Sequence, residues 1–307
     1  MSATIGFGIG LPVVQQVPAK VRAWEAGAGP AEIERVARAA DRLGFAHVAC
    51  SDHAVVPRSY AAAMGTTWYD AISTLAYVGG MTERIELLTH VLVLPYHQPV
   101  VLAKQLATLD AMTRGRLVVG VGSGHLKPEF RTLGIDFEQR GAITDESMDV
   151  LKALWTGEPA EFCGRWFSFR DVLVDPRPHR SPHPPIWVGG NARRTVRRAV
   201  ERGDGWVPWQ LGLDELAALI AYGRELLDRR GGGSWEVVAP FPTVDLLRRG
   251  GDREQDVLRL APSDLAARIE RYRALGVARL HVSFVSASCA ELLEQLEAFA
   301  SEVMVLL

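Results

Sequence analysis

The stretch Gly115-Arg-Leu-Val-Val-Gly-Val-Gly-Ser-Gly-His125 decides how this chain is read. It opens on a turn, runs as a short apolar strand, and places glycine at three alternate positions, Gly120, Gly122 and Gly124, before His125. Glycine inside a strand adds chain entropy and packs nothing. At the end of a buried strand it has a use, because another molecule can lie against bare backbone. The spacing predicts a buried strand whose C-terminal tip lacks side chains, with the Ser123 hydroxyl and the His125 imidazole beside the gap.

Outward from this strand the chain alternates. Apolar strands are expected at Ile5 to Leu11, Ala46 to Cys50, Ile85 to Leu94, Ile186 to Val188, Gly205 to Val207, Glu236 to Leu246 and Leu280 to Phe284. Between them lie helical patterns at Pro30 to Leu43, Tyr69 to Met81, Val100 to Met112, Glu138 to Trp155, Asn191 to Arg202, Leu213 to Asp228, Pro262 to Leu275 and Ser288 to Leu306. In the first helix Ile33, Val36, Ala37, Ala40 and Leu43 share one face and Gly44 caps the end. Strands apolar on both faces are those of a parallel sheet covered by helices. Strict alternation of strand and helix predicts one (β/α)8 barrel over residues 1–307, with a doubly wound open sheet as the alternative. Residues 156–184 break the rhythm with an aromatic hairpin and a proline-rich run, and are expected to be an insertion because the alternation resumes after them.

Composition narrows the function. The chain has 307 residues, 48% hydrophobic and 23% charged, with a net charge of −2, which gives no reason to expect nucleic acid or an anionic membrane as partner. No transmembrane stretch is expected, and the opening residues lack the basic-then-apolar layout of a secretory leader. Cys50, Cys163 and Cys289 are too scattered for a disulfide framework or a zinc finger. A cytosolic enzyme acting on a small molecule is the expectation.

In a (β/α)8 barrel the chemistry sits at the C-terminal ends of the strands. There the sequence puts Asp52-His53 after strand two, His90-Val91 at strand three, Ser123-Gly124-His125 after strand four and Gly189-Gly190-Asn191 after strand five. Three of the eight histidines thus mark three successive strand tips. A zinc site is disfavoured, since the rim shows no His-x-His or His-x-x-x-His and no second carboxylate cluster. Ser123 is not in a Gly-x-Ser-x-Gly elbow, which argues against a serine nucleophile. Gly189-Gly190-Asn191 opens a helix bearing Arg193 and Arg194, and free N–H groups at such an end attract phosphate. Two glycine-lined tips on one rim suit a flat ring at one and a phosphate tail at the other, the outline of a flavin-type cofactor.

These segments together resemble the bacterial-luciferase-like monooxygenase superfamily, most closely its branch using the deazaflavin coenzyme F-420. The stretches that carry the resemblance are Ser51-Asp52-His53, Leu92 to Pro99 with Leu102 to Asp110, Gly115 to Gly124, Phe130 to Gly141, and Pro185 to Gly190 with Gly203 to Trp206. It implies a (β/α)8 barrel with insertions, Asp52 and His53 at the cofactor ring, and a bulge with a non-prolyl cis peptide at His90-Val91 behind it. It also implies Gly122, Ser123 and Gly124 along the ring edge and Gly189 and Gly190 at the phosphate. Many relatives form dimers, so a homodimer is among its implications. His90 departs from the small residue usual at the bulge, and His125 stands near the position of a catalytic Glu in sugar-phosphate dehydrogenases of the family.

The expected activity is hydride transfer between reduced coenzyme F-420 and a small organic substrate. His53 and His125 are the expected proton-handling groups, since a free imidazole titrates near pH 6.5. Trp68 and Trp209 are expected in the substrate wall. The alternatives are an FMNH2-dependent monooxygenase using oxygen and, more remotely, a barrel that binds a ligand without turning it over.

Overall fold

The computed structural model describes residues 4–156, 158–247 and 257–307. Met1, Ser2 and Ala3, at the head of the stretch read for a leader, and Gly157, within the expected insertion, lie outside the described residues. Eight parallel strands form the barrel: β1 Gly6–Gly10, β2 His47–Cys50, β3 Glu86–Thr89, β4 Leu117–Gly122, β5 Ile186–Gly189, β6 Gly205–Val207, β7 Glu236–Pro240 and β8 Arg279–Val282. Each pairs with the next, β8 pairs with β1, and Leu87 opposite Leu117 joins β3 to β4, so the sheet closes. The open-sheet alternative is thereby excluded.

Among the described residues eight main helices follow the strands: α1 Pro30–Leu43, α2 Ala71–Gly79, α3 Pro99–Met112, α4 Arg140–Trp155, α5 Arg193–Arg202, α6 Leu213–Arg229, α7 Pro262–Ala274 and α8 Cys289–Ala298. In α1 Ile33, Val36, Ala37 and Ala40 of the predicted stripe are buried, Leu43 is partly buried, and Gly44 ends the helix in the left-handed region at φ 82°. No described helix is long and apolar enough to cross a membrane. Between α4 and β5 the expected hairpin pairs Ala160–Cys163 with Ser168–Val172. Its turn is fastened by Glu146, whose carboxylate accepts the N–H groups of Arg165, Trp166 and Phe167.

The pleat sorts the strand residues into two cores. Those pointing outward, such as Val48, Leu87, Val119, Val188 and Val237, pack under the helices. Those pointing inward, Ala49, Leu88, Val118, Trp187, Val207 and Val238, fill the lumen as a separate cluster. Below it, at the strands' N-terminal ends, Glu86 pairs with Arg279 and with Arg180 (2.5 Å), and Arg279 with Glu236 (3.2 Å). This ionic plug shuts one end of the barrel.

Three boundaries differ from expectation. The strand expected through Leu94 stops at Thr89 and resumes only as Leu92–Val93, interrupted by the cis His90–Val91 peptide that the resemblance implied. The strand expected from Glu236 to Leu246 stops at Pro240, because proline has no N–H for the ladder, and Thr243–Val244 pairs instead with Val257–Leu258 in a separate two-stranded sheet. The last helix ends at Ala298, where the backbone widens into a π turn at Phe299. That ring is wedged among Phe7, Phe45 and Phe284.

Candidate active site

The open end of the barrel is lined by the strand tips. At β2, Asp52 and His53 diverge. The Asp52 carboxylate accepts the Val93 N–H (3.0 Å) and faces His97 Nε2 (2.8 Å), so it holds the segment after the β3 bulge. His53 turns the other way. Its Nδ1 lies 2.8 Å from Glu129 Oε2, its ring meets Trp68 edge to face at 4.4 Å, and His125 stands at 6.0 Å.

Glu129 is the residue that the sequence reading missed. It lies in the short helix Lys127–Thr132, is fully buried, and accepts N–H groups from Ala54 and Val55 and the Tyr96 hydroxyl as well as His53. Burial alone would raise its pKa, but hydrogen bonds from His53, Val55 and Tyr96 outweigh it and hold the carboxyl below the ordinary value. A carboxylate only accepts, so His53 presents its proton on Nδ1 to Glu129 and keeps Nε2 for the mouth. Lys-Pro-Glu at a helix start reads as a solvated turn. The available signal was Phe130, whose apolar neighbour Leu126 marks a buried face on that turn.

His90 sits apart from this dyad. Its ring packs at 4.9 Å on His281, whose Nδ1 is 3.4 Å from His47 Nε2, so three imidazoles run down the lumen. Burial keeps all three neutral: His90 is pushed down to about 4 and His281 to about 3, and His47 falls well below 6.5. Gly8 makes room for this column, since a Cβ there would overlap the His47 ring.

The glycines of β4 have a reason the sequence did not show. A Cβ on Gly120 would overlap the Thr89 carbonyl, and one on Gly122 would come within 2.8 Å of Val91 Cγ2. On Gly189 it would meet Val91 Cγ1 at 2.9 Å, and on Gly124 it would meet Val93 and Phe130 at 2.7 and 2.8 Å. The gap predicted at these tips is largely filled by the chain's own β3 bulge. Ser123 remains partly exposed at the rim.

At β5, Gly190 adopts φ 126° and its carbonyl accepts the Trp206 indole N–H (2.7 Å). The helix α5 that follows has no side-chain cap, so its first N–H groups stay available to an anion. Asn191 spends its side chain on the backbone of Trp209, accepting that N–H at 2.7 Å and donating to its carbonyl. Trp209 is half exposed, with the Lys20 ammonium 3.7 Å above its ring. Trp68 Nε1 is buried without a partner beside His53. A ring-shaped acceptor and a phosphate tail fit these residues: an orphaned indole donor and an imidazole at one side, an uncapped helix end at the other.

The luciferase-like monooxygenase family matches residues 8–279. An uncharacterized protein of Mycobacterium tuberculosis is 32% identical over 167 residues, 54% of this chain and 57% of that protein. The FMNH2-dependent dimethylsulfone monooxygenase of Pseudomonas putida is 31% identical over 176 residues, 56% of this chain and 46% of that enzyme. The chain thus spans about half the length of these relatives. Among solved structures, the monooxygenase RslO1 from Streptomyces bottropensis superposes with a TM-score of 0.81 at 24% identity, covering 98% of this chain and 99% of that one. The coenzyme F-420-dependent tetrahydromethanopterin reductase of Methanopyrus kandleri gives 0.76 at 17% identity, covering 99% of each.

Proposed function

We propose, because this chain belongs to the luciferase-like monooxygenase family, that it is an oxidoreductase holding a reduced deazaflavin, coenzyme F-420, across the tips of β2 to β5. There it moves a hydride between that ring and a small organic substrate. The observation that carries this reading is the His53–Glu129 pair beside an unpartnered Trp68 indole N–H. The cofactor, when bound, supplies the hydride chemistry. The chain supplies position and protons.

Each residue has a derived task. Glu129 fixes the His53 tautomer, so that Nε2 takes a proton when the substrate is oxidised and returns one when it is reduced. Trp68 donates to an acceptor on the ring or substrate, and His125 stands in the same wall, where desolvation lowers its imidazole pKa. Val91 forms the back of the slot, braced by the glycines of β4 and β5. The N-terminus of α5 with Gly189 and Gly190 receives the phosphate. Imidazoles around the mouth provide the one proton that accompanies each hydride.

A second reading is favoured by the relative of Pseudomonas putida, which uses FMNH2. The same residues accept FMN, and the reaction would then consume oxygen. Equilibrium titration with each cofactor separates the two. The first reading expects F-420 to bind at least about tenfold more tightly than FMN, the second the reverse order. Binding of neither ring would overturn both.

A further inference from the structure

We propose that the mouth carries a receptor for an organic acid: Lys20, resting over the Trp209 ring, takes the carboxylate or sulfonate of the substrate. This deepens the reading above, since it assumes that substrate enters by the same mouth. Lys20 lies on the loop after β1 and Trp209 on the loop after β6, so their contact spans the open end of the barrel. Among the described residues no acid lies within ion-pair distance of Lys20. The ammonium instead rests 3.7 Å over the indole ring, and its charge reaches the His90 imidazole. Desolvation lowers its pKa.

Among the described residues the mouth's carboxylates Asp52 and Glu129 are both engaged. Asp52 is held by Val93 and His97, and Glu129 by His53, Tyr96 and two backbone N–H groups. Among the described residues the positive charge at Lys20 therefore has no neutraliser of its own. The face of an indole is a weak resting place for an exposed ammonium, and an acid group displaces it readily. The incoming acid would replace the indole face as the partner of the ammonium.

The test uses cofactor-free protein and three probes of one shape: benzoate, benzenesulfonate and uncharged benzamide, measured by calorimetry in low-chloride buffer. The proposal expects both anions to bind about tenfold more tightly than benzamide. Lys20→Arg keeps that preference; Lys20→Met abolishes it while leaving the affinity for F-420 and FMN unchanged. Equal affinity for all three probes, no binding of any at millimolar concentration, or an undiminished preference in Lys20→Met overturns the proposal. So does a Lys20→Met variant that loses cofactor affinity instead, which would make Lys20 a phosphate anchor. Failure of the cofactor reading shows differently, as a Lys20-dependent anion preference in a protein that binds neither ring.

Discussion

Glu129 has no exposed surface and satisfies its two oxygens with donors from two segments: His53, Ala54 and Val55 in the loop after β2, and Tyr96 after the β3 bulge. Such an arrangement serves stability and chemistry together. Hydrogen bonds to a charged group contribute about 1.5–3 kcal/mol each, so Glu129→Gln, which leaves the backbone donors facing an amide, should lower the urea-derived unfolding free energy by about 2–4 kcal/mol. Tyr96→Phe removes one bond and should cost less. The pH dependence has a definite sign. The folded pKa of Glu129 is depressed, so its contribution is complete above the unfolded carboxylate value near 4.5 and is lost as pH falls through the folded one. An acid limb below about pH 4.5 that is equally steep in wild type and Glu129→Gln would remove the carboxylate from this role.

At the scale of elements, the bulge of β3 and the glycines of β4 are one device. Thr89 Oγ1 donates to the Gly120 carbonyl (2.8 Å), the His90 N–H donates to the Cys50 carbonyl (2.7 Å), and Val91 seats itself over Gly122 and Gly189. Gly122→Ala should therefore destabilise by about 1–3 kcal/mol through overpacking. Val91→Ala in the same chain should recover at least about 1 kcal/mol of that loss, a coupling that denaturation of the two single variants and the double variant measures directly. Additive costs would mean that the two side chains do not meet. Here the sequence was legible in outline and misleading in cause. Three alternate glycines do mark a special strand end, but they are bare mostly because the neighbouring strand of the same chain crowds them. The break in β3 itself came from the resemblance; periodicity alone ran the strand on to Leu94, since Leu92, Val93 and Leu94 continue the apolar run.

The whole barrel is asymmetric along its axis. One end is sealed by Glu86, Arg279, Arg180 and Glu236, the middle is apolar around Trp187, and the column His47–His281–His90 leads upward to the open mouth. The alternation of strands and helices, and with it the closed barrel, could be read from the order of apolar segments because each element's period repeats eight times. The tips could be read as well, since a barrel fixes which end of each strand faces the site. His47 and His281 could not, because a histidine inside a short strand looks like a polar interruption until register sets it beside another. Their burial makes a prediction for the entire fold. These imidazoles stay neutral when folded but charge when unfolded near pH 6.5, so stability is full above that value and falls as pH drops toward 4. Urea midpoints should decline across that window, and His281→Asn should flatten the decline; midpoints that hold steady down to about pH 4.5 would contradict the column.

The central claim is that the open end holds a planar redox ring beside His53 with its phosphate at α5. Difference-absorbance titration with F-420 and FMN addresses it directly, comparing wild type with His53→Asn and Gly190→Val. The account predicts saturable binding of at least one ring by wild type, with a perturbed ring band. His53→Asn should bind within about threefold of wild type but with an altered band, and Gly190→Val should bind at least about tenfold more weakly. Absence of binding up to about 1 mM ring, or variants whose spectra and affinities match wild type, would contradict it.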